Sequence, residues 1–232
     1  MKPYIFLTKN YLANTQDDNG NEINITSITN VQPDYEQIIF FTDNYGNITN
    51  RTIDTLVLTN TNIVNMTVAA ANGGGVYSTA FTVANNDKST IFIKLANPVT
   101  TSSLKFTIPD DTHNPGYVNA QIGVYGFLCN LLALTDSSYK IEANEGSYRV
   151  VSGEYIHWAD YKKWVGKIKM ENLPQSQFDL LTAQADTGEM TVLPYQDLVI
   201  DEIYHCGVKR EYQYEVDRKT ELFSLELELN EL

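Results

Sequence analysis

Alternation of apolar and polar side chains runs through much of the chain and is densest over residues 90–127. Ile91, Ile93 and Leu95 share one side of a first run, and Leu104, Phe106 and Ile108 one side of a second. Val118, Ala120, Ile122 and Val124 share one side of a third, while Lys94, Lys105, Asn119 and Gln121 fall on the other. Successive side chains of a strand point to opposite faces, so this spacing predicts three strands with one greasy face each. Asn97-Pro98 and the stretch 109–116 separate them with turn-forming residues, and the arrangement expected is an antiparallel meander closing a β-sandwich. Upstream, Tyr4–Leu7 forms a short strand, and Ile38–Phe41 and Leu56–Leu58 are continuous apolar runs of the core-strand type. Met66, Val68 and Ala70 then alternate, and Phe81 and Val83 mark a further strand.

Past residue 139 the pattern changes. Tyr148–Glu154 and Trp164–Met170 read as strands, the second with Trp164, Ile168 and Met170 on one face and Lys163, Lys167 and Lys169 on the other. Residues 173–186 are the one convincing helix. Asn172 with Gln175, or Ser176 with Asp179, supplies a capping box, and Pro174 is tolerated in the first turn. Phe178, Leu181 and Ala185 make a stripe that packs on a sheet, and Gly188 ends the helix. Met190–Leu193 and Ile203-Tyr204 are further strands. Tyr212, Tyr214 and Val216 alternate with Glu211, Gln213 and Glu215; Phe223, Leu225, Leu227 and Leu229 alternate with Ser224, Glu226, Glu228 and Asn230. This predicts a hairpin with one greasy and one acidic face, its last strand a candidate sheet edge. Glu226 and Glu228 there either solubilise the edge or form half of a subunit joint.

The domain division that follows is a β-sandwich over residues 1–130 and a smaller antiparallel β domain with one packed helix over 139–232. Residues 1–30 are an arm of the first or part of the second. The segment from Cys129 to Asp136 is an apolar connector, so the halves are expected to pack together. The fold class is mainly β.

Composition narrows the function classes. With 232 residues, 43% hydrophobic and 19% charged, the chain has the makings of a real core. A net charge of −13 disfavours nucleic-acid binding, which needs clustered Lys and Arg. The acidity is that of a soluble, self-repelling surface, with an acidic wall past which DNA slides as the sharper reading. Cys129 and Cys206 have no CxxC pairing and read as buried thiols rather than a disulfide. No signal peptide is read in MKPYIFLTKNY, and no run approaches the roughly 20 apolar residues of a bilayer span.

Candidate chemistry is sparse. Asp17-Asp18-Asn19-Gly20-Asn21-Glu22 has its glycine too early for a calcium loop and reads as a turn, as does Asp43-Asn44-Tyr45-Gly46. Gly73-Gly74-Gly75 lacks a following helix or Lys-Ser/Thr and reads as a hairpin tip, not a phosphate cradle. Asn24, Asn47, Asn50 and Asn65 begin Asn-x-Thr triplets that are not expected to be glycosylated. His113, His157 and His205 share no metal-ligand spacing. His205 adjoins Cys206, but adjacent strand residues face opposite ways, so the two do not form a nucleophile–base pair. No catalytic residue, metal ligand or cofactor is nominated, and an enzyme is not expected. Tyr45, Tyr77 and Tyr117 fall near loop tips beside Asn44, Asn72 and Asn114, a pairing of rings and amides that suits glycan binding. In a chain with 15 tyrosines the commoner role is packing, at loop bases or against neighbouring subunits, and that role is preferred.

The segments IDTLVLTNTNIVNMTV, STIFIKLANPVTTSSLKFTI and VNAQIGVYGFL, with Gln121–Gly126 as an Ile-Gly-aromatic strand end, resemble the galactose-binding-like (discoidin-type) jelly roll over residues 30–128. The order of strands, single helix, Pro-bounded strand and final SLELELNEL is similar to the small β domains of phage tail-tube and tail-tip proteins. These resemblances imply a structural component of a tailed-phage or prophage-like tail, made in the bacterial cytoplasm and located in the virion. Its expected partners are copies of itself and other tail proteins, without membrane insertion. The alternative is a carbohydrate-binding or receptor-recognition module with a cell-surface glycan as partner.

Overall fold

The computed structural model describes residues 3–72, 75–132, 138–149, 155–196, 199–200, 203–209, 213–217 and 220–232, with side chains described outside 3–4, 129–149, 155–162 and 194–200. The chain divides into two units, Thr8–Phe127 and a second built from Met1–Leu7 with Leu128–Leu232. Strand β1 (Pro3–Leu7) therefore stands with the C-terminal part: it pairs antiparallel with a strand nearly two hundred residues downstream, Phe6 opposite Val192. Residues 8–30, in contrast, belong to the sandwich.

The Thr8–Phe127 unit contains β2 (Thr15–Gln16), β3 (Ser27–Val31), β4 (Tyr35–Phe41), β5 (Arg51–Thr59), β6 (Met66–Ala71), β7 (Tyr77–Val83), β8 (Ile91–Thr101), β9 (Ser103–Ile108) and β10 (Val118–Tyr125). They form two sheets, ordered β2-β4-β9-β6-β7 and β3-β10-β5-β8. The apolar alternation falls where expected: Leu104, Phe106, Ile108, Val118, Ile122 and Val124 are buried between the sheets. The meander is not formed. β8 pairs with β5, β9 with β4 and β6, and β10 with β3 and β5, so these successive strands alternate between sheets as a jelly roll requires. Nor does Asn97-Pro98 end a strand. β8 continues to Thr101, and the register slips between Ile53 and Thr55 so that Leu95–Pro98 bulge from the ladder. Proline has no N–H to give the ladder, and an edge-strand bulge is where it is tolerated.

Among the described residues the second unit is a nine-stranded antiparallel sheet. Besides β1 it contains β11 (Phe127–Leu132), β12 (Ser138–Arg149), β13 (Tyr155–Leu173), β14 (Glu189–Gln196), β15 (Val199–Ile200), β16 (Tyr204–Val208), β17 (Gln213–Asp217) and β18 (Leu222–Glu231), with helix α1 (Gln175–Asp186) between β13 and β14. The expected connector is thus strand β11 as far as Leu132; residues 133–137 lie outside the described residues, as do 150–154 of the expected strand Tyr148–Glu154. β12 and β13 form a hairpin whose ladder runs from Ser138↔Lys167 to Arg149↔Tyr155. Its first arm has too little apolar alternation to be read from sequence.

Along β13, Trp164, Ile168 and Met170 are buried while Lys163, Lys167 and Lys169 are half-buried on the other face. Gly166 lies between two of these lysines because the Trp164 indole occupies its side: a Cβ there would stand 2.1 Å from the ring. β18 is not an edge. It has β13 on one side and β16 and β17 on the other. Glu226 therefore faces Lys167 at 2.6 Å and Lys169 at 3.7 Å, and Glu228 faces Lys209 at 2.9 Å, so the acidic face carries ion pairs within the sheet.

Helix α1 buries Leu181 and Ala185 and stacks Phe178 on Phe223 with 4.4 Å between ring centroids. Neither expected capping box forms. Pro174 is the N-cap without a side-chain bond, Asn172 takes φ 59° before it, and Gln175 instead donates to Asp179 at 2.6 Å. Gly188, at φ 85°, ends the helix, its N–H donating to the Ala185 carbonyl at 2.9 Å. Among the described residues no helix is long and apolar enough to cross a membrane.

Candidate functional site

Strand register sorts the connections of the sandwich to its two ends. The pairs Phe40↔Ser103, Arg51↔Thr101 and Ala71↔Tyr77 bring the connections 42–50, 72–76 and 100–103 to one end. The pairs Tyr35↔Ile108, Leu58↔Ile91 and Met66↔Val83 bring 60–65, 84–90 and 109–117 to the other. Tyr45 and Tyr77 therefore share an end, and Tyr117 is at the opposite one.

At the Tyr117 end the asparagines are already engaged. The buried Asn114 accepts from the N–H groups of Val64 (2.9 Å) and Asn65 (3.0 Å) and donates to the carbonyls of Asn65 (3.1 Å) and Pro109 (3.0 Å). Asn65 donates to Asp111 at 2.7 Å, and Asn62 joins the Tyr117 carbonyl at 3.0 Å to the Asn119 N–H at 2.7 Å. The Asn114 and Asn65 bonds also hold the Asp111 carboxyl below the usual aspartate range. The Asn and Asp frequency that makes these loops look polar thus ties three connections together without crossing strands. Tyr117 is exposed, but the amide beside it is spent on the loop.

The other end has a cleft of about 560 Å³. Phe40, Ala71 and Tyr77 form its apolar part, with Asn50, Asn72, Gly75 and the run Thr100–Ser103 around them. Tyr77 is held by a hydrogen bond between its hydroxyl and Ser103 Oγ at 3.1 Å. Neighbouring strands lie about 4.8 Å apart, so a side chain on β7 that reaches β9 has to cross β6. Ala71, the Cα partner of Tyr77, lies on that crossing. Ala71 carries only a methyl group, so no bulky side chain at that position blocks the reach of Tyr77 to Ser103. Thr101 is buried and its hydroxyl is used within the loop, donating to Ser103 O at 2.8 Å and Ala71 O at 3.2 Å. Asn72 donates to Ser78 Oγ, which leaves its carbonyl oxygen as an acceptor at the rim.

Tyr45 projects from the same end and is 91% exposed. Its loop is closed by Asp43, whose carboxylate accepts from the Tyr45 N–H at 2.8 Å, the Asn47 N–H at 2.9 Å and Asn47 Nδ2 at 3.1 Å. These bonds, Asn47's side chain first, hold the Asp43 carboxyl below its ordinary range. Asp17 closes the Asp17–Asn21 turn through the same set of donors, at Asn19 and Asn21.

Phe40, Asn50 and the Thr100–Ser103 run were not legible as site residues. Phe40 sits in the apolar run Ile38–Phe41, and only its parity against the buried Ile39 and Phe41 signals an outward ring. Elsewhere, His113 Nδ1 is 3.7 Å from Asp111, His205 Nδ1 bonds Thr191 Oγ1 at 3.1 Å, and the His157 side chain lies outside the described residues. Cys206 is free and buried, its thiol pushed up to about 12 by burial and then by the charge of Glu231; the Cys129 side chain is not among those described. Among the described residues no three His, Cys, Asp or Glu side chains converge as a metal site would require.

No family model matches the chain, and no curated protein matches it. Among solved structures the chain is similar to CBM32-1 from a family 31 glycoside hydrolase of Clostridium perfringens, with 16% identity and a TM-score of 0.32 over 43% of this chain and 75% of that one. It is also similar to discoidin II of Dictyostelium discoideum, with 8% identity and a TM-score of 0.33 over 87% of this chain and 74% of that one.

Proposed function

We propose that the Thr8–Phe127 unit is a non-catalytic carbohydrate-binding module, with the Tyr77 cleft as its site. The observation that carries this reading is a cleft in which a tyrosine, tied to Ser103 through its hydroxyl, is surrounded by uncharged amides and hydroxyls. The C–H face of a pyranose packs on the open side of such a ring, and its hydroxyls exchange hydrogen bonds with groups at the rim. Ser102, Asn50 and the Asn72 carbonyl are placed to supply them, while the Thr100 hydroxyl is already bonded to that of Thr52 at 2.9 Å. No bond is made or broken. Tyr45 extends the contact beyond the cleft; Tyr117, at the far end, would serve a separate contact.

Glycan-array binding followed by calorimetry on the best hit tests this. Tyr77→Ala should lower affinity about tenfold or more, the equivalent of a lost stacking contact, and Tyr77→Phe, which keeps the ring and loses its tie to Ser103, should lower it less. Tyr117→Ala should leave it unchanged. A blank array, or equal loss from Tyr77→Ala and Tyr117→Ala, would remove the proposal.

A structural role in a phage-like tail is the second reading. It is supported by the exposed apolar side chains of Tyr214 and Val216 on β17 in the second unit, which suit burial against a neighbouring protein. Light scattering of the whole chain should then show concentration-dependent oligomers that Val216→Glu dissolves; a strict monomer at high concentration counts against it.

A further inference from the structure

We infer that the cleft selects uncharged sugars and rejects acidic ones, an inference that rests on the carbohydrate reading of the same site. Its apolar lining is Phe40, Ala71 and Tyr77, its polar lining is amide and hydroxyl, and among the described residues no charged side chain lines it. A carboxylate entering such a site leaves water without gaining a cation, which is unfavourable unless a guanidinium or ammonium replaces the lost hydration.

Two cations close to the lining residues in the chain, Arg51 and Lys105, are already engaged. Arg51 follows Asn50 directly, but its guanidinium donates to the Thr42 carbonyl at 3.1 Å and lies over the Tyr11 ring, 5.4 Å from its centroid. Lys105 shares the outer face with Ser103 and is paired with Glu36 at 2.7 Å. The near anion remains charged: the Asp43 carboxylate, in the loop that carries Asn50, is kept ionised by its bonds to Asn47 and Tyr45. With a chain net charge of −13 behind it, the local field repels an anionic sugar and leaves a neutral one untouched.

The decisive comparison uses matched pairs that differ only at C6: galactose against galacturonic acid and glucose against glucuronic acid, each also as its β-linked disaccharide. Binding is measured on the full chain at low salt and again at high salt. The neutral member should bind at least about tenfold more tightly, the cost of a carboxylate that gains no cation in the site. The gap should narrow as salt screens the repulsive part. Thr100→Lys, which places an ammonium on an exposed rim position, should raise uronate affinity more than neutral-sugar affinity. Uronates that bind as well as or better than their neutral partners, with binding lost in Tyr77→Ala, would overturn the selectivity while leaving the carbohydrate site standing. Failure of every sugar, neutral and acidic, would overturn the site and its selectivity together.

Discussion

Replacing Asn114 with alanine should unlatch the far end of the sandwich, and the size of the effect follows from its bonds. The side chain is 8% exposed and makes two acceptor and two donor contacts, to Val64, Asn65 and Pro109. At roughly 0.5–1.5 kcal/mol net per neutral bond, four losses amount to about 2–6 kcal/mol. The loop lies at the surface, where water re-solvates some of the freed groups, so about 3 kcal/mol is expected. Asn114→Asp is the sharper probe. It keeps both acceptor bonds, loses both donors, and turns a carboxylate oxygen toward two carbonyls, which raises the new group's folded pKa. Protonation restores one donor. The variant's stability relative to the native protein is therefore greatest below the unfolded carboxylate value and falls as pH rises through the raised folded one. Urea unfolding separates the units, because both tryptophans, Trp158 and Trp164, lie in the other one. The far-UV circular dichroism transition of the sandwich should move by about 1–3 M urea, with the tryptophan fluorescence transition in place. A loss below about 1 kcal/mol in Asn114→Ala, or an Asn114→Asp stability that rises with pH, would refute the latch.

Gly166→Ala should displace the Trp164 ring from its 4.9 Å stack on Tyr204 and cost about 1–3 kcal/mol, read as red-shifted tryptophan emission; unchanged emission would show that the ring does not need the glycine. Asp43 should titrate below an ordinary aspartate. Its folded value is depressed, so its contribution is present above the usual carboxylate range and lost as pH falls through the lower value; a side-chain carboxyl NMR titration with an ordinary midpoint would refute this.

Alternating side chains by themselves determined the β class, the inward-facing residues and the stripe of α1, because those depend on a strand's two faces or a helix's turn and nothing further away. The turns closed by Asp17 and Asp43 were legible for the same reason: a backbone bend is closed by its own neighbours. Pairing was not. A ladder bond is chemically alike whichever strand supplies it, so nothing in Ile91–Leu95, Leu104–Ile108 or Val118–Val124 says that they alternate between two sheets rather than pair in succession. The same blindness hides β1's place beside β14 and β18's place inside its sheet. The cleft was the least legible feature, since Tyr77, Ala71 and Ser103 lie on three different strands. The glycan-suited tyrosines could be named from sequence, but only the register separates Tyr77 and Tyr45 from Tyr117, and only the fold shows that Asn114's amide is consumed where Asn50's rim is open. Which polar groups remain for a ligand is decided by what the tertiary structure has already bonded.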